Sequence, residues 1–239
     1  QADLAAIANI STILRWCEEF LHNLSDEPPT ALRTGGIGVR DLKRIAEHLG
    51  VEESCVGFVA ELCYLGGLVV IDPDDQILPT AAFDAWLSRE PEDRWHNLVT
   101  LWLQTSRVAG LIGKADGKNV AALGPELDRS TFASLKRIVL DVLLENREID
   151  PDPESLAPLI TWLTPTRANR DYMSWILREA EWLGRDARKG SQVYAVGHIE
   201  TERWTGKDGA EMAPCIIAGP TCDSVDVLYE RTPYMLPIS

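Results

Sequence analysis

No stretch of this 239-residue sequence approaches 18 consecutive apolar residues, so no membrane-spanning helix is expected. The opening QADLAAIANISTILRW has no basic head and carries Asp3, so it does not read as a secretory signal. There is no CxxC, no HExxH and no Cys/His cluster at zinc-ligand spacing. The five cysteines (Cys17, Cys55, Cys63, Cys215, Cys222) are odd in number and widely spaced. They fit reduced thiols in a cytoplasm better than a disulfide framework. No GxxxxGK[ST] phosphate loop occurs. The nearest string, Gly110-Leu111-Ile112-Gly113-Lys114-Ala115, has the wrong glycine spacing and no Ser/Thr for magnesium. ATP hydrolysis by this chain alone is therefore not expected.

Positive charge is also scarce. Thirty-seven acids face 23 Lys and Arg, for a formal net charge of −14. Such a chain is a poor general ligand for nucleic acid, because non-specific affinity comes from cations neutralising phosphates. Anionic membrane surfaces are disfavoured for the same reason. The remaining composition, 45% apolar and 25% charged, is that of a globular protein with a sizeable core.

Helical periodicity dominates the first four-fifths. Leu4, Ile7, Ile10, Leu14, Cys17, Leu21 and Leu24 recur at steps of three and four, and Pro28-Pro29 ends that helix. Val39, Leu42, Ile45, Ala46 and Leu49 mark a short helix with Gly50 as its cap. Val56, Val59, Ala60, Cys63 and Tyr64 mark a second, which Gly66-Gly67 stops. Residues 68–71 and 76–78 read as two strands around Asp72-Pro73-Asp74-Asp75. A helix with Phe83, Trp86 and Leu87 follows, then one from Pro91 with Trp95, Leu98, Val99, Trp102 and Leu103. Gly110 to Gly124 is glycine-rich and reads as loop. Further helices are expected at about 129–146, 153–163 and 169–184; the last carries Tyr172, Trp175, Ile176, Glu179, Ala180 and Leu183. The Trp residues mostly fall at helical spacing, as core residues do. From Ser191 the pattern becomes extended, with a turn at 205–209, which places a domain boundary near 185–193.

The fold class expected is therefore mainly α, with a winged-helix core at about 37–88 inside a helical module of residues 1–190. A short β-rich segment follows at 191–239. Helix, turn, helix, hairpin is the winged-helix order, in which the second helix would enter a DNA groove. Charge opposes that use. Residues 45–88 contain no Lys or Arg, and Glu52, Glu53, Glu61, Asp72, Asp74 and Asp75 would face phosphate uncompensated. Arg33, Arg40, Lys43 and Arg44 lie upstream and either touch one backbone segment or form a solvated face. A protein-interaction or scaffold role fits better than an autonomous DNA reader, and nucleic-acid binding is expected to be weak or absent.

Several strings carry a resemblance. Leu32-Arg33-Thr34-Gly35-Gly36-Ile37-Gly38-Val39-Arg40-Asp41-Leu42-Lys43 resembles the XPB-type helicase N-terminal (helicase-associated) domain of actinobacterial proteins. So do Ala60-Glu61-Leu62, Leu65-Gly66-Gly67-Leu68, Leu78-Pro79-Thr80, Trp86-Leu87 and Leu177-Arg178-Glu179-Ala180-Glu181-Trp182-Leu183-Gly184. The resemblance covers roughly residues 1–190. It implies a non-catalytic helical module with a winged-helix core, tied to helicase-type machinery through a protein partner.

A second resemblance lies in Gly219-Pro220-Thr221-Cys222-Asp223-Ser224. By residue chemistry, carboxylates beside Cys222 raise its thiol pKa. Cys222 is then either an acid or a packing residue among solvated acids. The string is similar to the GPTCD motif of ornithine/diaminopimelate decarboxylases, over roughly 194–239. That resemblance implies pyridoxal phosphate as cofactor and a dimer. Cys222 would protonate the intermediate after CO₂ leaves, and Asp223 would hold the distal amine of the substrate. The family's barrel of about 250 residues, with its Schiff-base lysine, has no counterpart upstream. No decarboxylase activity and no cofactor are expected of this chain alone. The start without Met and the stop at Ser239 are expected of an incomplete chain, joined from two parts or naturally fused.

Overall fold

The structure is a computed structural model that describes residues 2–115, 118–145, 170–184, the helical positions 158, 160 and 162, and the strand pairs 204–205 and 211–212. It is mostly helical, with small antiparallel hairpins.

Helix α1 (Ala2–Asp26) is long and one-sided. Ile13, Leu14, Cys17, Phe20, Leu21 and Leu24 are buried at steps of one and three, the stripe of a helix lying on a core. After Pro28-Pro29 the chain turns back. Helix α2 (Val39–Leu49) buries Leu42, Ile45, Ala46 and Leu49. It ends on Gly50, whose φ of 66° is the left-handed cap that glycine adopts at least cost.

Helix α3 (Glu53–Leu65) is the centre of the molecule. Every residue from Cys55 to Cys63 is buried. It touches α1, α2, β1 (Val69–Ile71), α5 (Pro91–Gln104) and a one-turn helix at Ala109–Leu111. A helix apolar nearly all round is buried all round, and among Val56, Phe58, Val59, Ala60, Leu62 and Cys63 the only charged side chain on its middle turns is Glu61. Tyr64, expected on the apolar face, instead lies 43% exposed at the end of the helix.

β1 pairs antiparallel with β2 (Ile77–Pro79), Val70 opposite Leu78, so the second strand starts one residue later than expected. A bridge between Thr30 and Gln76 lays a third extended segment along β2. The Ala31 N–H donates to the Asp75 carbonyl and the Ile77 N–H to that of Pro29. The turn is held by the Asp72 carboxylate, which accepts the N–H groups of Asp74 and Gln76 at 2.9 and 2.8 Å.

Helix α4 (Ala82–Leu87) buries Phe83 and Trp86. α5 opens with Pro91 and buries Trp95, Leu98 and Trp102. The glycine-rich stretch 110–124 is not plain loop. Gly113–Ala115 (β3) and Lys118–Val120 (β4) form a second hairpin. Its return arm is tied to the loop before α2 by the Ile37 N–H and Ala122 carbonyl, 2.8 Å. That pairing crosses most of the described chain, and no local pattern announces it.

Helices α6 (Phe132–Glu145) and α7 (Arg170–Trp182) close the core. Ile160 is buried, whereas Trp162 is 78% exposed and is no core residue. Trp204 pairs with Met212 and Thr205 with Glu211 in a short antiparallel pair around residues 206–210. The expected boundary at 185–193 lies outside the described residues.

Candidate functional site

Cys222 and Asp223, the residues carried over from the decarboxylase resemblance, lie outside the described residues, as does the rest of the GPTCD string. The surface that would read DNA is described in full. Arg44 is bound to acids, Glu27 at 2.7 Å and Asp41 at 3.7 Å. Lys43 lies 3.9 Å from Glu47 one helical turn on. Arg33 and Arg40 remain exposed. On the other side Glu52, Glu53, Asp74 and Asp75 are exposed.

Glu61 was expected among the acids facing outward, and the structure corrects this. Its side chain is 4% exposed and meets Arg107 in a fork. Arg107 Nε donates to Oε2 at 2.5 Å, and Nη2 donates to Oε1 at 3.2 Å. The Leu123 N–H donates to Oε1 at 2.6 Å, and Arg107 Nη2 also reaches the Gly124 carbonyl at 2.8 Å. Burial disfavours the guanidinium charge. The Glu61 bonds and charge, with Tyr64 and Asp128, outweigh that and hold the Arg107 pKa above its ordinary value. This node pins α3 to the 105–128 segment.

A second buried network joins α5, α6 and α7. Trp102 Nε1 donates to Glu179 Oε2 at 2.6 Å, and Trp95 Nε1, two turns earlier, donates to the Leu183 carbonyl at 2.8 Å. The two indoles thus hold the C-terminal end of α7. Lys136 on α6 is fully buried; its Nζ donates to the Trp102 and Thr105 carbonyls and lies 4.8 Å from the Trp102 ring and 4.9 Å from that of Phe132. Burial lowers the Lys136 pKa to about 8, with Glu179 pulling it back up. Burial raises that of Glu179 to about 7, against the opposing effects of Lys136 and the Trp102 bond; Glu61 adds to the rise. Glu179 Oε1 is buried without a hydrogen-bond partner. A fully buried lysine committed to two carbonyls is a structural group.

Chemistry for small molecules is thin among the described residues. No group of three or more His, Cys, Asp or Glu could hold a metal ion there. A shallow depression between Val39, Leu42, Ile112 and Val120 holds about 80 Å³. Ligand sites run to roughly 300–1,000 Å³. Cys17, Cys55 and Cys63 are buried free thiols where α1 meets α3. Burial first, then Cys17 and Glu52, pushes Cys55 up to about 12; Cys63 is raised by burial and by Cys17. Such thiols are poor nucleophiles.

Compared with known proteins, the chain matches no protein family, no curated protein and no solved structure at a significant level. No helix among the described residues is long and apolar enough to cross a membrane.

Proposed function

We propose that this chain is a non-catalytic, helicase-associated interaction module on a winged-helix core, linked to DNA transactions through a protein partner rather than by binding DNA strongly itself. The observation that carries this reading is the burial of α3. A groove-reading helix must present side chains to base edges. Here Cys55 to Cys63 face the core, and the one acid among them, Glu61, is committed to Arg107. The element order supports the winged-helix assignment: helix, the Thr30 segment, α2, α3, β1, turn, β2, with the Thr30 segment bridged to the returning strand. The acidic wing supports a protein partner over phosphate.

The test is fluorescence anisotropy with duplex and forked DNA at physiological salt, beside cross-linking of the full chain in cells. The reading expects no DNA affinity tighter than ~10⁻⁶ M, the non-specific range. It expects a helicase polypeptide among the cross-linked partners. Salt-resistant duplex binding in the nanomolar range, or cross-links that never reach a helicase, would sink it.

A further inference from the structure

The Ile37–Ala122 pairing lays the loop before α2 beside the second hairpin. Between these two and the first turn of α3 lies the depression of about 80 Å³, walled by Val39, Leu42, Ile112 and Val120. It stays open at Gly113, where an added Cβ would meet nothing within 4 Å. Val39 is 51% exposed at the rim, and Leu32, whose side chain lies against Gly38, is 43% exposed. The volume is about half of the ~150 Å³ that holds a benzene, so it suits one branched aliphatic side chain.

Charge decides what such a side chain belongs to. Arg33 follows Leu32 and Arg40 follows Val39, so each flanks an exposed apolar side chain. Both are exposed, and neither forms an ion pair among the described residues. Gly38 begins α2 without a side-chain cap, so the first-turn N–H groups add the positive end of the helix dipole. Asp41, the acid of that turn, is taken up by Arg44 at 3.7 Å, and Lys43 lies 3.9 Å from Glu47. At the far end Glu53 lines the depression. The site is therefore polar end to end, with free bases beside α2 and an acid beside α3. Charges more than about 8 Å away are screened at physiological ionic strength, so for a short segment these groups outweigh the net charge of −14. A nucleic acid would offer phosphate to the arginines and no aliphatic side chain to the depression. A second copy, docking its own acidic turn here, would make a head-to-tail contact, which runs on as a filament unless the rotation closes.

We propose that this depression docks an acidic segment of a partner protein through one aliphatic anchor. The anchor enters between Val39, Ile112 and Val120, and its neighbouring Asp or Glu meets Arg33, Arg40 and the first turn of α2. This proposal rests on the interaction-module reading and names the chemistry of its partner.

The probe is a capped, fluorescent peptide with one photoreactive leucine analogue among Asp and Glu residues. One control replaces the leucine by Ser, and another replaces the acids by Lys. Anisotropy with the full chain is expected to show the acidic peptide binding about tenfold or more tighter than either control. Added salt is expected to weaken it. Irradiation and mass spectrometry are expected to place the adduct within residues 37–42, 112–113 or 120–122. Arg33→Glu with Arg40→Glu, at two exposed positions, should cost about tenfold or more and turn the preference towards the Lys peptide, with an unchanged circular dichroism spectrum. Val39→Ser should weaken the acidic peptide and keep the charge preference. Adducts elsewhere, equal affinity for the acidic and Lys peptides, or affinity untouched by the double Arg variant would each overturn the proposal. So would duplex binding, or self-association of the chain, that the same variant abolishes. Helicase cross-links in cells that survive the double variant would defeat the docking proposal alone. Peptide binding as expected, with no helicase ever cross-linked, would defeat the helicase reading and leave the docking site standing.

Discussion

Arg107 reaches across 46 residues of sequence to close a fork on Glu61, and the same carboxylate takes the N–H of Leu123. Leu123 sits at φ 63°, a left-handed conformation that leucine rarely adopts, and its bond to Glu61 helps to hold it there. The pair is a lock between α3 and the second hairpin, and its charges are nearly out of water.

Breaking one side of that lock should be costly. Glu61→Ala leaves a mostly buried guanidinium with only the Gly124 carbonyl, and the buried Leu123 N–H without its acceptor, and should lose ~3–5 kcal/mol. Arg107→Lys should recover little, because an ammonium cannot bridge two carboxylate oxygens and the Gly124 carbonyl in one plane. Urea unfolding followed by tryptophan fluorescence measures both. A Glu61→Ala loss under ~1 kcal/mol would mean that water reaches the site and the fork is a surface pair.

Much of this helical frame is legible in sequence, and the reason is physical. Stripes such as Leu42, Ile45, Ala46 and Leu49 need only local periodicity, and Gly50 needs only its own backbone. The polar nodes are half legible. Glu179 stands on the apolar stripe of Ile176, Ala180 and Leu183, and Lys136 stands between Phe132, Leu135 and Val139. A charge on such a stripe has to be satisfied inside, yet nothing local says by whom. Glu61 reads from sequence as an outward-facing acid for that reason: its partner lies 46 residues on. The β3–β4 hairpin is not legible in sequence because glycines at 110, 113, 117 and 124 read as loop, while the Ile37–Ala122 pairing that anchors it is non-local.

The Lys136–Glu179 network should set a pH window. The folded Glu179 pKa, about 7, lies above its ordinary 4.5. Its protonated form is favoured by folding, and that stability is lost as pH rises from about 4.5 through 7. The folded Lys136 pKa, about 8, lies below its ordinary 10.5, so its contribution is lost as pH falls from 10.5 through 8. The pair is least favourable between about pH 7 and 8, where both carry charge. Lys136→Met combined with Glu179→Gln keeps an acceptor for Trp102 and should flatten the profile of Tm against pH. It should be neutral or stabilising by ~1–4 kcal/mol near neutrality. Identical profiles for the two proteins would rule the window out.

Two glycines should separate strain from crowding. Gly50 has φ 66° and nothing within 4 Å of an added Cβ, so Gly50→Ala should cost only the ~1–2 kcal/mol of a left-handed alanine. Gly36 has φ 84°, and a Cβ there would lie 2.2 Å from the Ala122 carbonyl oxygen that accepts from Ile37. Gly36→Ala should add overpacking of ~1–3 kcal/mol to the same strain. Equal losses in parallel denaturant titrations would contradict the close approach of these two loops.

Thiol labelling probes the closure of α3, on which the functional reading depends. Cys55 and Cys63 lie on α3, and Cys17 faces them from α1; all three are buried, and burial raises the pKa of Cys55 and Cys63. In native buffer an alkylating reagent should reach them only through unfolding, so rates should track global stability and rise together with urea. Mass spectrometry separates these cysteines from Cys215 and Cys222. Coincident rates at Cys17, Cys55 and Cys63 are expected. Fast labelling of Cys55 alone, without denaturant, would show that the first turns of α3 open locally. A helix that opens there could offer its face to a groove, and burial would no longer keep α3 from reading DNA.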